Sequence, residues 1–288
     1  MHALLGVCIP SASKEVSVFK EAQDEGWVTS TGVGKRKRAL GRSPATINWW
    51  LDPARAEAFN FFSLDALYSA PYFKWSDNFL RKDTNRIVRV QQAAFALLMD
   101  RPLRSVGEFG GAAGHFTRAY AEAGLDYQTV EGTKAGVARI QQQPGVSAAR
   151  VQRVDLRLPF RMNSPAASAK FDLAVNTEVA EHIEIPFHSQ LVQTLTQASD
   201  LIWFSYAAPP YEGGREAHIH HSSTLPMRYW LNLFDFFDYR TLKISEADQN
   251  KVLGRGRLIF YRRGSLDAKI QSLGWPSVQV NHTVCRAS

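Results

Sequence analysis

The sequence predicts an α/β protein built on an open, doubly wound, mainly parallel sheet. Three observations predict it. From Arg104 onward, short apolar extended runs alternate with helically patterned ones. A glycine-rich turn, GEFGGAAGHF (Gly107–Phe116), joins the first extended run to the first helix. The length of 288 residues accommodates one large α/β domain with an appendage and a sizeable core. Strands alternating with helices imply parallel pairing through right-handed crossovers.

Taken in order, RSVGEF (Arg104–Phe109) reads as a strand, and HFTRAYAEAG as a helix stopped by Gly124. YQTVEG follows as a strand, TKAGVARIQQQ as a helix, and ARVQRVD, FDLAVNT and DLIWFSY as three further strands. TLKIS and GRLIFYRR supply an antiparallel closing pair, which brings the expected sheet to seven strands. Upstream, NRIVRVQQAAFALLMD (Asn85–Asp100) carries apolar residues at helical spacing and ends before Pro102. Asn48 to Phe79 is crowded with aromatic residues and reads as a cap that folds against the domain. Four regions are therefore expected: a basic, flexible arm over 1–45, a helical aromatic cap or lid over 46–100, the main α/β domain over 101–265, and a tail over 266–288.

Composition narrows the function classes. No stretch approaches the roughly 20 apolar residues of a membrane span, and Met1–Pro10 lacks the basic flank of a secretory signal. No membrane association and a cytoplasmic location are expected. Cys8 and Cys285, the two cysteines, lie near opposite termini in no metal-type spacing, which argues against a disulfide framework. A net charge of +7 permits an acidic partner, RNA included, without requiring one. GKRKRALGR (Gly34–Arg42), the densest basic run, sits among Gly, Ser and Thr and reads first as a solvated arm.

In a doubly wound sheet, ligands bind beyond the carboxyl ends of the strands, where a glycine-rich turn leads into a helix. Gly110, Gly111 and Gly114 let backbone approach a ligand there. Glu131 ends the second strand, where a carboxylate can accept from both hydroxyls of a ribose. Asp155 ends the third, where a carboxylate can accept from an adenine amino group. Together they describe an adenosine site.

These residues resemble the class I S-adenosylmethionine-dependent methyltransferases, which have a Rossmann-like sheet. The likeness runs from about Arg104 to Arg263: VGEFGGAAGHFT, the acidic end of TVEG, the DL of RVDLRLPF, and FDLAVNTEVAEHI, in the family's order. A nicotinamide dinucleotide site would explain the glycines but not FDLAVNTEVAEHI. Ala112 stands where the family's turn has glycine. The resemblance implies S-adenosyl-L-methionine as cofactor, with Glu108, Gly110 and Gly114 at its methionine end, Glu131 at the ribose, Asp155 and Leu156 at the adenine, and Glu178 alongside.

Acceptor chemistry is expected after the fourth and fifth strands. In TEVAEHI, Glu178, Glu181 and His182 share one face if the segment is helical. The loop AAPPYEGGREAHIHHSSTLPM carries His218, His220 and His221, and long loops are often functional. The general-base candidates are His182, His218, His220 and His221. The alternative is a divalent metal on Glu178, Glu181, His182 and His220, which is not favoured because Mg²⁺-type sites are built from oxygen ligands. His115 and His188 read as structural or surface residues, although His115 opens the helix beside the glycine turn. Tyr229, Trp230 and the aromatic cap are expected to form a lid and part of the acceptor pocket.

The resulting expectation is methyl transfer to an oxygen or nitrogen of a small-molecule acceptor such as a saccharide or natural-product intermediate. Bacterial enzymes of that kind have a similar histidine-bearing loop before an aromatic helix. Two alternatives stand beside it: a metal-dependent RNA 3′-terminal 2′-O-methyltransferase, and a non-catalytic partner subunit of the same fold. A homo-oligomer is compatible with the sequence.

Overall fold

The computed structural model describes residues 64, 65, 68, 73, 84–162, 170–207, 225–242 and 257–274. The basic arm, most of the aromatic cap and the loop bearing His218, His220 and His221 lie outside the described residues.

Helix α1 (Thr84–Met99) precedes the first strand, and Asp100, at φ 52°, turns the chain out of it. Then come β1 (Ser105–Phe109), α2 (His115–Glu122), β2 (Asp126–Glu131), α3 (Lys134–Gln141), β3 (Val151–Arg153) and β4 (Leu173–Asn176). The chain continues through α4 (His188–Ala198), β5 (Leu201–Ser205), α5 (Met227–Phe236), β6 (Tyr239–Thr241), β7 (Arg257–Arg262) and α6 (Asp267–Ser272). Local signals set several bounds. Thr133 caps α3 by accepting the Gly136 N–H, and Gly124 takes φ 67° just past α2.

The seven strands lie in the order β3-β2-β1-β4-β5-β7-β6. The first five run parallel, and β7 is antiparallel to both β5 and β6. The closing pair expected from sequence forms, and among the described residues its first strand runs from Tyr239 to Thr241, starting two residues ahead of TLKIS, whose last three residues lie outside the described residues. Asp238, at φ 66°, ends the α5 turn, and the Tyr239 side chain must enter the core at once. There its hydroxyl lies 2.9 Å from the Thr196 carbonyl and 2.7 Å from that of Ser199.

The period-2 alternation of the strands feeds two cores, one per sheet face. Val106, Trp203, Ile259 and Tyr261 pack with Phe95 of α1, Tyr120 of α2 and Ile270 of α6. Phe109, Ile202, Phe204 and Phe260 pack with Leu191 of α4 and with Trp230 and Phe234 of α5. Thus α1, read as part of the cap, contributes to a core under the sheet, and the region from 266 opens with a packed helix. No described helix is long and apolar enough to cross a membrane.

Because the chain winds from β1 outward to β3 and then returns to β4 beside β1, strand order reverses between these two neighbours. That reversal opens a crevice at their carboxyl ends.

Candidate active site

The glycine turn spans this crevice. Gly110 and Gly111 donate their N–H groups to the Val130 carbonyl at 2.9 and 3.1 Å, folding the turn back over β2. Gly110 has φ 92°, and a Cβ there would stand 2.4 Å from Val179 Cγ2. Gly114 has φ 82°, and its Cβ would stand 2.9 Å from Ile140 Cα. Conformation and space both exclude a side chain at these two positions. Ala112 adopts the left-handed region as well, at φ 47°. It accepts this strain where its N–H donates to Glu131 Oε2 at 3.0 Å.

Three carboxyl groups stand at the ends of three adjacent strands. Glu108 on β1 is buried and accepts hydrogen bonds on Oε2 from Thr117 at 2.6 Å and Thr129 at 2.8 Å. Burial pushes its pKa up to about 7, against the opposing effect of the two hydroxyls. Glu131 ends β2, its Oε1 accepting the N–H and hydroxyl of Thr133 at 3.0 and 2.9 Å. Burial also raises its pKa, opposed first by the Ala112 N–H and then by Thr133. Asp155 follows β3 and is enclosed by Arg157, a residue that pattern reasoning did not single out. The only sequence cue to it is a basic residue two positions after the acid.

Beside the loop, Asn176 ends β4 and donates Nδ2–H to the Phe109 carbonyl at 3.0 Å. Its Oδ1 is buried without a hydrogen-bond partner, an acceptor left over at the crevice between β1 and β4.

The TEVAEHI segment is not one helix. Glu178 sits at φ 54°, ahead of a single 3₁₀ turn over Ala180–His182. Ser205 decides this, since its Oγ accepts the Glu178 N–H at 2.9 Å and donates to Glu178 Oε1 at 2.7 Å. Glu178, Glu181 and His182 therefore do not share a helical face. Glu181 is buried, and burial, followed by the charge of Glu178, holds its carboxyl well above the usual range. Among the described residues no three His, Cys, Asp or Glu side chains converge as a metal-ligating group.

His182 meets the cap. Its Nδ1 lies 2.9 Å from the Tyr68 hydroxyl, and the rings meet edge to face at 5.5 Å. Tyr68 and Phe73 pack on Ala113, with Leu64, Ala112 and Ala135 alongside. Asp65 accepts the Lys134 N–H at 2.8 Å and pairs with Arg153 at 3.1 Å. The described cap residues thus stand over the ends of β1, β2 and β3 and reach the turn after β4.

His188 is structural, as its position suggested: one ring nitrogen lies 2.9 Å from the Ile183 carbonyl and the other 3.0 Å from the Tyr229 hydroxyl. Burial lowers its pKa to about 4. His115 is buried at the first turn of α2. Trp230 does not line a pocket. It is fully buried, with its ring 4.6 Å from His188 and 5.0 Å from Phe204. The apolar stripe of α5 faces the sheet, and Trp230 lies on that stripe.

No protein-family model matches this sequence, and no curated protein does. Solved structures match in fold. The plantazolicin methyltransferase BpumL, in complex with a pentazolic desmethylPZN analog and SAH, aligns with a TM-score of 0.52 at 10% identity, over 72% of this chain and 96% of that one. Its complex with SAH gives 0.50 at 11% identity over the same shares. The chain has the class I methyltransferase fold.

Within that fold the glycine turn, Glu131, Asp155 and Asn176 surround the crevice where strand order reverses. The Glu178–His182 turn stands at its β4 side. Tyr68, Asp65, Arg157 and Ser205 join the site through contacts between segments 27 to 114 residues apart, or, for Arg157, through its side-chain rotamer. Periodicity carries no signal for such pairs.

Proposed function

We propose that this chain is a methyltransferase that moves the methyl group of S-adenosylmethionine to an oxygen or nitrogen of a small-molecule acceptor, a saccharide or natural-product intermediate. One observation carries this reading: buried carboxyls end three adjacent parallel strands around a left-handed glycine turn, beside the orphaned acceptor of Asn176. An adenosine group with its hydroxyls and amine offers the donors these acceptors lack.

In this reading Gly110 and Gly114 shape the backbone around the methionine end, and Glu108 supports it from beneath through Thr117 and Thr129. Glu131 holds the ribose, Asp155 and Leu156 the adenine, and Glu178 stands alongside. The bound cofactor supplies an electrophilic methyl group and its own leaving group. The protein's remaining task is to orient the acceptor and take its proton. His182 performs the second, with Tyr68 fixing ring orientation and tautomer through Nδ1. Glu181 stands beside it, its carboxyl held well above the usual range by burial and by the charge of Glu178.

The test is incubation of the full chain with methyl-labelled cofactor and separate pools of small metabolites and RNA, with and without EDTA. Label in the metabolite pool, indifferent to EDTA, is the expected result. Label in RNA, abolished by EDTA and restored by Mn²⁺, would transfer the assignment to the metal-dependent alternative. Absence of both label and SAH binding would overturn the reading.

A further inference from the structure

Asp155 is 2% exposed, and Arg157 closes on it from two sides. Oδ1 accepts the Arg157 backbone N–H at 3.0 Å and its Nε–H at 3.0 Å. Oδ2 accepts Nη2–H at 2.8 Å, with the longer leg of Nε–H at 3.2 Å. A carboxylate offers about four lone-pair sites. Three N–H donors fill these sites except for one on Oδ2 that only the longer leg of Nε–H reaches, and this is the site a ligand donor would take. The guanidinium is itself buried, and its Nη1 spans to both oxygens of Glu184 at 3.3 Å. Glu184 follows His182 by two residues, so Arg157 ties the end of β3 to the turn that carries the acid–base group.

We infer that Arg157 is a positioning residue of the cofactor site, holding the Asp155 carboxylate aimed so that the site prefers adenine over a 6-oxopurine. This rests on the S-adenosylmethionine reading above. An ionised carboxylate only accepts, and the exocyclic amine of adenine donates, whereas the 6-oxo group of hypoxanthine accepts. Without the fork, the carboxylate loses the donors that fix its orientation and turns away. An Asp155 turned from this aim no longer accepts from the amine and no longer opposes the 6-oxo group, so the preference falls. Lysine in place of arginine keeps the charge but offers no planar fork, so it separates geometry from charge.

The experiment measures, by calorimetry on the full chain, the affinities of S-adenosylhomocysteine and S-inosylhomocysteine in wild type, Arg157→Lys and Glu184→Gln. Wild type is expected to prefer the adenosyl compound by about 30-fold or more, the penalty for facing a hydrogen-bonding site with the wrong partner. Arg157→Lys should reduce the preference to about fivefold or less, with inosyl affinity held to within about twofold. Glu184→Gln keeps the fork, loosens its other anchor and should lower the preference two- to fivefold, roughly. It decides the matter if the lysine variant does not fold, since an unchanged preference in it then refutes the inference. An unchanged preference in a folded Arg157→Lys, or equal loss of both ligands, also overturns it. Wild type binding both compounds alike overturns it while leaving the methyltransferase reading standing. Binding of neither removes the cofactor reading and this inference together.

Discussion

Replacing Glu131 by glutamine keeps the side chain's shape and removes its charge, in a place where both oxygens are in use. Oε1 accepts from the Thr133 N–H and hydroxyl, and Oε2 from the Ala112 N–H at 3.0 Å. A glutamine has one oxygen. If that oxygen serves Thr133, its amide N–H groups confront the Ala112 N–H, donor against donor. The charge-assisted bond is lost, and it is the bond that holds Ala112 in the left-handed conformation. Gly136 lets this side chain pack against the start of α3, since a Cβ there would stand 2.6 Å from Glu131 Cγ. Relief of the carboxylate's burial penalty offsets part of the loss. The net destabilisation is about 1–3 kcal/mol. Loss of the ribose acceptor and of loop shape together should weaken SAH binding by a similar energy, about 5- to 150-fold. Urea unfolding gives the first quantity and titration calorimetry the second. If Glu131→Gln leaves both the unfolding midpoint and the SAH affinity at wild-type values, the carboxylate neither holds the turn nor meets the cofactor, and the site assignment fails.

Ser205→Ala should cost about 1–3 kcal/mol, because the Glu178 N–H loses its acceptor and the left-handed turn loses its tie; an unshifted thermal transition would contradict this. Burial lifts Glu108 to about 7 from 4.5, so the folded protein holds a proton there that the unfolded chain releases. Stability from that site is full below pH 4.5 and falls as pH rises to about 7, by roughly 3 kcal/mol. Glu108→Gln should therefore be favoured over wild type more at pH 8 than at pH 5 in urea unfolding. His188, lowered to about 4, contributes an opposite slope that cancels in this comparison. A variant tracking wild type at both pH values would show that Glu108 is ionised in the fold. Tyr68→Phe keeps the ring on Ala113 and removes only the hydroxyl on His182; it should leave SAH affinity within about twofold and shift the pH dependence of methyl transfer. An unaltered profile would remove Tyr68 from the acid–base site.

The architecture was legible in the sequence because it is written in local pattern. Continuous apolar runs mark strands buried on both faces, which feed two cores, as Trp203 and Phe204 do on opposite faces. Glycine-containing junctions marked the crevice, and the acids at the ends of β2 and β3 marked its walls. What the tertiary structure alone decided is the state of each side chain. TEVAEHI has helical spacing, yet Ser205, 27 residues away, bends Glu178 out of the helix. Trp230 has an aromatic helix for context, but the packing of α5 on the sheet buries it in the core. Tyr68 reaches His182 across 114 residues, and Arg157 takes up most of the Asp155 carboxylate. Local propensity encodes which way a residue faces along its own element. Hydrogen-bond partners, burial and protonation arise only where elements distant in sequence meet, so they belong to the fold rather than to any stretch of chain.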